Sequence, residues 1–456
     1  MFKSMAGMAY PEANPKLSDS MQSAMGLWRE MMNGKPPWIN KDDDIFTIRF
    51  GNFVGKRAAN LTTLDIGVEI TGSSRADWMQ KQYDLMVKGE LRDQVQKALL
   101  TGGIIMKPTG ESVEFYDDAN FLITSAKNGV VTGAIFRDVR HYNDKVYTRY
   151  EWNYVDENGM YWIRNKAYVS EHENEKGREV PLSVIDDWAE LPVCENYVRN
   201  NGEPIEKPLF AYFANPCTNT IDASSPYGQS IIADAVEEIK GLDIAWSRND
   251  MEVEDSKHVT FIPEEAVRYD EMFNPKKTLP RFMRGVELGA VNDGGVNNIH
   301  EHVATLLTEQ RWKDINNRLS FIGTKCGFSQ GAFGIDKQTG MITATQVEAD
   351  DRDTIQTIKD IRDALKNSLD DLFHALDVIA DVNGYAPTGK YETVYNFGDI
   401  TYNYEEDRAN WWNYVIQGMI PRWKFFEKFE GMSREEYEEL EKELNTGKSG
   451  LFNDEE

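Results

Sequence analysis

The chain has 456 residues, enough for two or three domains of ordinary size. Hydrophobic residues make up 41% and charged residues 28%, and no run approaches the roughly 18 apolar residues of a membrane span, which argues against both disorder and membrane insertion. The 76 acidic and 50 basic residues give a net charge of -26, which excludes a protein that grips nucleic acid over its whole surface but allows a channel through which DNA slides.

Residues 1 to about 45 are rich in methionine. Apolar side chains recur at helical spacing before Gly34 and the two prolines after it, namely Met21, Met25, Trp28, Met31 and Met32. This pattern predicts a short amphipathic helix on an extended arm.

Two helices and a strand are predicted next. Phe53 to Leu61 favours a helix, and the alternation of Ile66, Val68 and Ile70 indicates a strand. A longer helix is predicted from Ala76 to Thr101, ended by two glycines. Its inward side chains are predicted to be Trp78, Leu85, Leu91, Val95 and Leu99.

Residues 104 to about 215 are predicted to form a meander of antiparallel strands. Short alternating runs are separated by turn sequences at 128–129, 143–144 and 158–159. The many aromatic residues here could form a sugar-binding platform, but alternating aromatics more often form a packed sheet face.

Two helices flank an irregular basic insert. The first is predicted from about Ser230 to Asp255 and the second from about Glu301 to Lys325. The insert, Lys257 to Asn298, collects five cations within 17 residues: Arg268, Lys276, Lys277, Arg281 and Arg284. The insert is either a solvent-exposed β-structured segment without a binding function or an exposed tip that binds an acidic partner or DNA phosphate.

A glycine-rich segment follows the second helix. Four glycines and two phenylalanines, Phe328 and Phe333, occupy Lys325 to Glu348, which predicts a mobile loop. The longest helix of the chain is predicted from Val347 to Gly384, with an acidic outer face.

The C-terminal part is predicted to hold a strand at Tyr391 to Asn396 and then helices. One helical pair, Ala409 to Gln417 and Trp423 to Phe429, is joined by a turn. A last helix begins at Ser433, where Glu436 completes a capping box.

No motif in the chain specifies catalysis, a metal or a cofactor. Gly447-Lys448-Ser449 lacks the earlier glycine of a phosphate loop, and His300 and His302 point apart on a helix. The three cysteines form no CxxC pair. The N-terminus lacks the charged and apolar regions of a signal peptide, so we expect a protein kept in the cytoplasm or packed into an assembly built there.

The order of these parts resembles the portal proteins of tailed bacteriophages, in particular the group from phages of Gram-positive bacteria. The resemblance covers most of the chain and lies in Trp28–Gly34 with Pro37-Trp38, Ser225–Ser230 with Leu242-Asp243, Gly327-Phe328-Ser329 with Thr343–Val347, and Gln417–Ile420 with Gly431–Glu436. Gln346 stands where the family usually has Glu.

The resemblance implies an α+β portal fold with the following parts. These are an N-terminal arm (1–45), a wing of a helix and antiparallel strands (46–225), a first stem helix (226–256), a clip (257–299), a second stem helix (300–326), a tunnel loop (327–343), a long wing helix with a strand (344–405) and a crown with an acidic tail (406–456).

The resemblance also implies a structural, non-enzymatic function without a cofactor. The chain would form a ring, usually a dodecamer, at the capsid vertex of the virion, through which double-stranded DNA is packaged and ejected. Its partners would be the terminase large subunit, capsid and scaffolding proteins, and the head-tail connector. The tunnel loop would face DNA with Phe328, Ser329, Gln330, Phe333, Lys337 and Gln338, while Phe328 and Phe333 also serve to pack the loop. The five cations of the insert would dock the motor and the connector.

Two other classes remain open from the sequence. One is an acidic carbohydrate-active enzyme that uses the aromatic β-region, although no defined acid pair accompanies it. The other is a different head-tail adaptor of the virion, whose usual small size contrasts with this chain.

Overall fold

The protein, represented by a computed structural model, folds into two compact units, Met1–Gly398 and Asp399–Glu456. The structure describes residues 2–39, 44–110, 112–173, 175, 177–205, 207–255, 259–263, 283–286, 300–302, 307–334, 351–398, 404–430, 432–434 and 436–438. Helices and antiparallel strands both build the first unit, so the predicted α+β class is confirmed. The division into portal subdomains stays a prediction.

The helices vary widely in length. They are α1 (Phe2–Ala9), α2 (Asp19–Met32), α3 (Phe50–Thr62), α4 (Ser74–Gln82), α5 (Leu91–Thr101), α6 (Val236–Asp255), α7 (Thr308–Lys325), α8 (Arg352–Asn383), α9 (Tyr404–Ile416) and α10 (Arg422–Glu430). No helix of the described residues combines the length and apolar character that crossing a bilayer requires.

The strands of the described residues form four sheets. They are β1 (Gly67–Thr71), β2 (Gly103–Thr109), β3 (Ser112–Tyr116), β4 (Phe121–Lys127), β5 (Val130–Tyr142), β6 (Lys145–Val155), β7 (Tyr161–Ser170), β8 (Arg178–Val180), β9 (Cys194–Tyr197), β10 (Ala211–Ala214), β11 (Val259–Pro263), β12 (Met283–Val286), β13 (His300–His302) and β14 (Glu392–Asn396).

The meander predicted over 104–215 is confirmed for β4 to β8, which pair in chain order within a six-stranded sheet, where β9 also pairs with β7. The strands β2, β3 and β10 of the same range instead form a separate three-stranded sheet. The turns use residues that tolerate positive φ: Asn128 and Gly129 have φ of 52° and 79°, and Asn143 and Asp144 have 50° and 57°. Such turns match the right-handed twist of the strands that they join.

The N-terminal segment packs into the first unit and is not an extended arm. Ser18 caps α2 by accepting a hydrogen bond from the Met21 amide at 3.3 Å, and Met21, Met25 and Trp28 are buried beside β4 and β5. Tyr10, after α1, is buried on the aromatic face of β6 and β7. The apolar residues that predict the helix therefore cover the sheet.

Three predicted helices have different bounds. The helix expected over 76–101 is divided into α4 and α5 by a π-helical turn at Tyr83–Val87, and Leu85 is 63% exposed instead of inward. A 3-10 turn, Ala233–Ala235, precedes α6. The helix predicted from about Glu301 starts at Thr308, because His300–His302 pairs with β11 as a strand.

α8 crosses the core of the first unit. Its leucines 365, 369, 372 and 376 are all buried at three- and four-residue spacing. Arg362, also buried, donates to the carbonyls of Leu61 and Thr62 at the end of α3. The residues of the predicted helix before 351 lie outside the described part.

The second unit contains α9, α10 and a short helical start. Val415, Phe425 and Phe429 form its apolar cluster. The predicted capping box is present: the Glu436 amide donates to Ser433 Oγ at 3.3 Å, and the Ser433 amide donates to the Glu436 carboxylate at 2.8 Å.

Candidate functional site

Helices α6 and α7 form an antiparallel pair on either side of the basic insert. Lys325 near the end of α7 lies 2.6 Å from the Glu238 carboxylate near the start of α6. Arg311 near the start of α7 forms an ion pair with Glu252 near the end of α6. The two ion pairs, one at each end, fix the direction and register of the helices.

Aromatic packing holds the same pair between its ends. The rings of Trp246 and Trp312 meet edge to face with centroids 5.5 Å apart, a favourable geometry for aromatic side chains. Ile315, Leu319 and Ile322 form the buried face of α7, whereas Leu307, directly before the helix, is exposed.

The insert between α6 and α7 contains a three-stranded sheet in the order β12-β11-β13. β11 pairs in parallel with β12 and antiparallel with β13. Arg284 lies in β12, opposite Phe261 of β11. The other four predicted docking cations, Arg268, Lys276, Lys277 and Arg281, lie outside the described residues.

The chain leaves α7 through a tight turn at Gly327–Gly334. Gly327 has φ +80°, and a Cβ there would lie 2.6 Å from Thr357 Oγ1, so both conformation and space require glycine. The Phe328 amide donates to the Gly323 carbonyl at 2.9 Å, and Thr357 Oγ1 donates to the Gly327 carbonyl at 2.7 Å. The turn is thus tied to both flanking helices.

Ser329 and Thr354 join the turn to the start of α8 by reciprocal hydrogen bonds. The Ser329 amide donates to Thr354 Oγ1 at 2.9 Å, and the Thr354 amide donates to Ser329 Oγ at 3.2 Å. The pair satisfies an amide that a helix N-terminus otherwise leaves open.

Four phenylalanines form an aromatic cluster under the turn: Phe50, Phe53, Phe328 and Phe333. Phe333 is central, with ring centroids 4.9 Å from Phe328, 5.4 Å from Phe50 and 5.7 Å from Phe53. A Cβ on Gly323 would approach the Phe333 ring to 2.8 Å, so a glycine of α7 makes room for it.

The turn revises the prediction for the DNA-facing side chains. Phe328, Ser329 and Phe333 are packed inside the protein, while Gln330 is exposed. Lys337 and Gln338 lie outside the described residues. The predicted contact segment is therefore restricted to Gln330 and to the residues beyond the turn.

Sequence reasoning missed a buried ionic network that connects α4, α8 and the segment after β9. Arg75, which is 1% exposed, donates to the Asp377 carboxylate at 3.0 Å and lies 3.6 Å from that of Asp381. Arg199 donates to Asp377 at 3.0 Å. Burial raises the pKa of Asp381, but the Asn200 amide and other partners outweigh it and hold that pKa below its usual range.

A second buried network joins β6 of the six-stranded sheet to β2 of the three-stranded sheet that also holds β3 and β10. Glu151 accepts from Lys107 at 2.6 Å and from Arg149 at 2.8 Å. Burial by itself raises the pKa of Glu151, yet the two cations hold it at about 2, so the carboxyl is ionised. These residues line a cavity of about 470 Å³. The only sequence signal for this network is the occurrence of charged residues within predicted strands. The sequence alone does not show which strands pair, so it does not bring these charges together.

These features are structural in character and hold helices, turn and sheet in fixed positions. Within the described ranges no cluster of three or more histidine, cysteine or carboxylate side chains could hold a metal ion. The carboxylates of both buried networks form ion pairs with arginine or lysine side chains.

No family model matches the chain, and no curated protein matches it. Among solved structures, the chain is similar to a chain of the structure titled "Neck of native GTA particle computed with C12 symmetry". The two chains are 10% identical, the match covers 93% of this chain and 97% of that chain, and the TM-score is 0.44.

Proposed function

We propose that this protein is a portal subunit of a tailed bacteriophage, a structural component without catalysis that forms a ring for the passage of double-stranded DNA. The observation that carries the proposal is the α6–α7 pair, antiparallel and clamped at both ends, with a small β-sheet in the insert between the helices. A stem with a clip requires this arrangement. The sequence motifs quoted above precede and follow that pair in the order typical of the family.

The elements after the pair support the same proposal. The turn at Gly327–Gly334 anchors the start of the remaining glycine segment, and the 32-residue α8 then crosses the core. A portal function needs such a loop supported on rigid helices. The loop contacts the moving DNA, and the helices that carry the loop must stay folded under the resulting force.

The charge of the chain also suits passage of DNA. A wall formed by copies with a net charge of -26 repels phosphates within a Debye length of about 8–10 Å, so a duplex moves without dwelling. Lys337, repeated around a ring, would add a narrow positive belt whose phosphate contacts are independent of sequence.

On this proposal the protein is part of the virion, at the portal vertex of the capsid. The clip would dock the terminase large subunit during packaging and the head-tail connector afterwards. Capsid and scaffolding proteins would contact the outer surface during assembly in the host cytoplasm.

The carbohydrate-active alternative loses its platform in this fold. Tyr10 packs against Trp152 with ring centroids 5.3 Å apart, and Trp152 stacks on Tyr154 at 4.1 Å. Tyr150 and Tyr168 of the same sheet face are also buried. Most of these aromatics therefore stabilise the packing of the N-terminal segment.

Negative-stain electron microscopy of the purified protein tests the proposal. We expect rings with an axial hole, alone or after addition of the scaffolding protein. A protein that stays monomeric in both conditions would contradict the portal function.

A further inference from the structure

One face of α3 carries an aromatic and basic surface that the first unit leaves exposed. Phe53 is 53% exposed although its ring contacts the aromatic cluster, and Lys56, Arg57 and Asn60 follow it at helical spacing on the exposed side. We call Phe53, Lys56, Arg57 and Asn60 the α3 patch. Its two adjacent cations contrast with a chain of net charge -26.

Two residues of the α3 patch contact the aromatic cluster beneath it. The Arg57 guanidinium lies over the Phe333 ring at 5.5 Å, and Phe53 meets the same ring at 5.7 Å. Neither Lys56 nor Arg57 forms an ion pair with another described residue. The patch therefore presents a fixed phenyl edge and two cations without carboxylate partners in the described chain.

A complementary surface lies on α8. Asp353, Asp360 and Asp363 are exposed and occupy one side of the helix, since their spacing of seven and three residues keeps them within a quarter turn. No described cation forms an ion pair with them. We call these three residues the α8 acidic stripe.

We propose that the α3 patch binds the α8 acidic stripe of a second copy of this chain. Exposed aromatic and arginine side chains are the residue types enriched at the energetic centre of protein interfaces, and opposite charges select and orient the partner. A half-exposed phenyl ring fits a protein surface better than it fits the charged backbone of a DNA duplex. A contact in which the patch of each copy engages the stripe of the next, without the reciprocal contact, is head to tail, the type that closes into rings.

This inference rests on the proposed ring, and charge reversal tests it. The double variant Lys56→Glu/Arg57→Glu and the double variant Asp360→Lys/Asp363→Lys are compared with wild type by mass photometry across a concentration series. Each should raise the concentration of half-assembly about tenfold or more. The four substitutions combined should restore it to within about threefold of wild type, since the charges pair again with exchanged sign.

The matched control is Lys81→Glu/Lys97→Glu, which makes the same change in net charge at exposed positions of α4 and α5. It should shift half-assembly less than about twofold, because surface charges far from an interface contribute little. Circular dichroism melting of each variant shows whether the protomer still folds, and Phe53→Ser gives a second, charge-neutral test that should also weaken assembly.

The outcomes separate this inference from the proposed function. Wild-type rings that both reversals leave unchanged, or that the combined variant fails to restore, overturn the inference and leave the portal function standing. Rings that assemble normally in the Lys56→Glu/Arg57→Glu variant but retain less duplex DNA would also overturn it, in favour of a phosphate contact. Self-association through the patch without an axial hole would support the inference and contradict the portal. A wild-type protein that never self-associates contradicts both.

Discussion

The substitution Phe328→Ala tests whether the glycine segment begins as a packed turn or as a mobile loop. Phe328 is fully buried, and its ring lies edge to face with Phe333 at 4.9 Å between centroids. An aromatic side chain buries about 150–250 Å², which at about 25 cal/mol per Å² corresponds to about 4–6 kcal/mol as an upper value. Measured truncations of buried phenylalanine cost about 3–5 kcal/mol, and we expect that range here.

The assay is urea unfolding followed by tryptophan fluorescence, with Gln330→Ala as the matched control. Gln330 is exposed in the same turn, so its truncation should change the free energy of unfolding by less than about 0.5 kcal/mol. Hydrogen exchange gives a second measurement, because the Phe328 and Ser329 amides are both hydrogen-bonded and should be protected. If Phe328→Ala costs no more than the control and both amides exchange as freely as in an open chain, the packed turn is wrong.

Further predictions concern charge. Burial raises the pKa of Asp118 to about 6. The contribution of this carboxyl group to the free energy of unfolding should therefore fall by about 2–3 kcal/mol as the pH rises from about 4 to about 6. Asp118→Asn should remove this pH dependence in unfolding experiments. Glu151→Gln leaves two buried cations without their carboxylate and should lower the free energy of unfolding by about 3–5 kcal/mol. Lys337→Glu should change DNA retention or packaging while rings still assemble. Lys276→Glu with Lys277→Glu should weaken terminase binding in a pull-down.

Each of these predictions has its own control and contrary result. Asp144→Asn, at an exposed turn, should keep the pH slope, and a slope that survives in Asp118→Asn would show that another group produces it. Glu157→Gln, also exposed, should leave stability nearly unchanged, and an equal effect of the two glutamate substitutions would exclude a special role for the buried pair. Unchanged packaging removes Lys337 from the proposed mechanism, and full terminase binding counts against the assignment of the clip.

Local patterns in the sequence were sufficient for many elements. The alternating aromatics with Asn-Gly and Asn-Asp turns predict the meander, because strand periodicity and positive φ at the turns are properties of a few neighbouring residues. The same holds for the capping box at Ser433 and for the leucine spacing of α8. The order of helix, basic insert, helix and glycine segment was likewise visible in the sequence and led to the resemblance.

Contacts between distant parts of the chain decided the rest. Nothing near Gly327 in sequence indicates that Phe333 packs on Phe50 and Phe53, so a segment predicted to be mobile begins as a packed turn. The pairing of β1 with β14 and the ion pairs of Arg75 with α8 join residues about three hundred positions apart. Burial likewise made the N-terminal helices part of the core and left Phe53 on the surface, because helical spacing shows that a face is apolar but not what covers it.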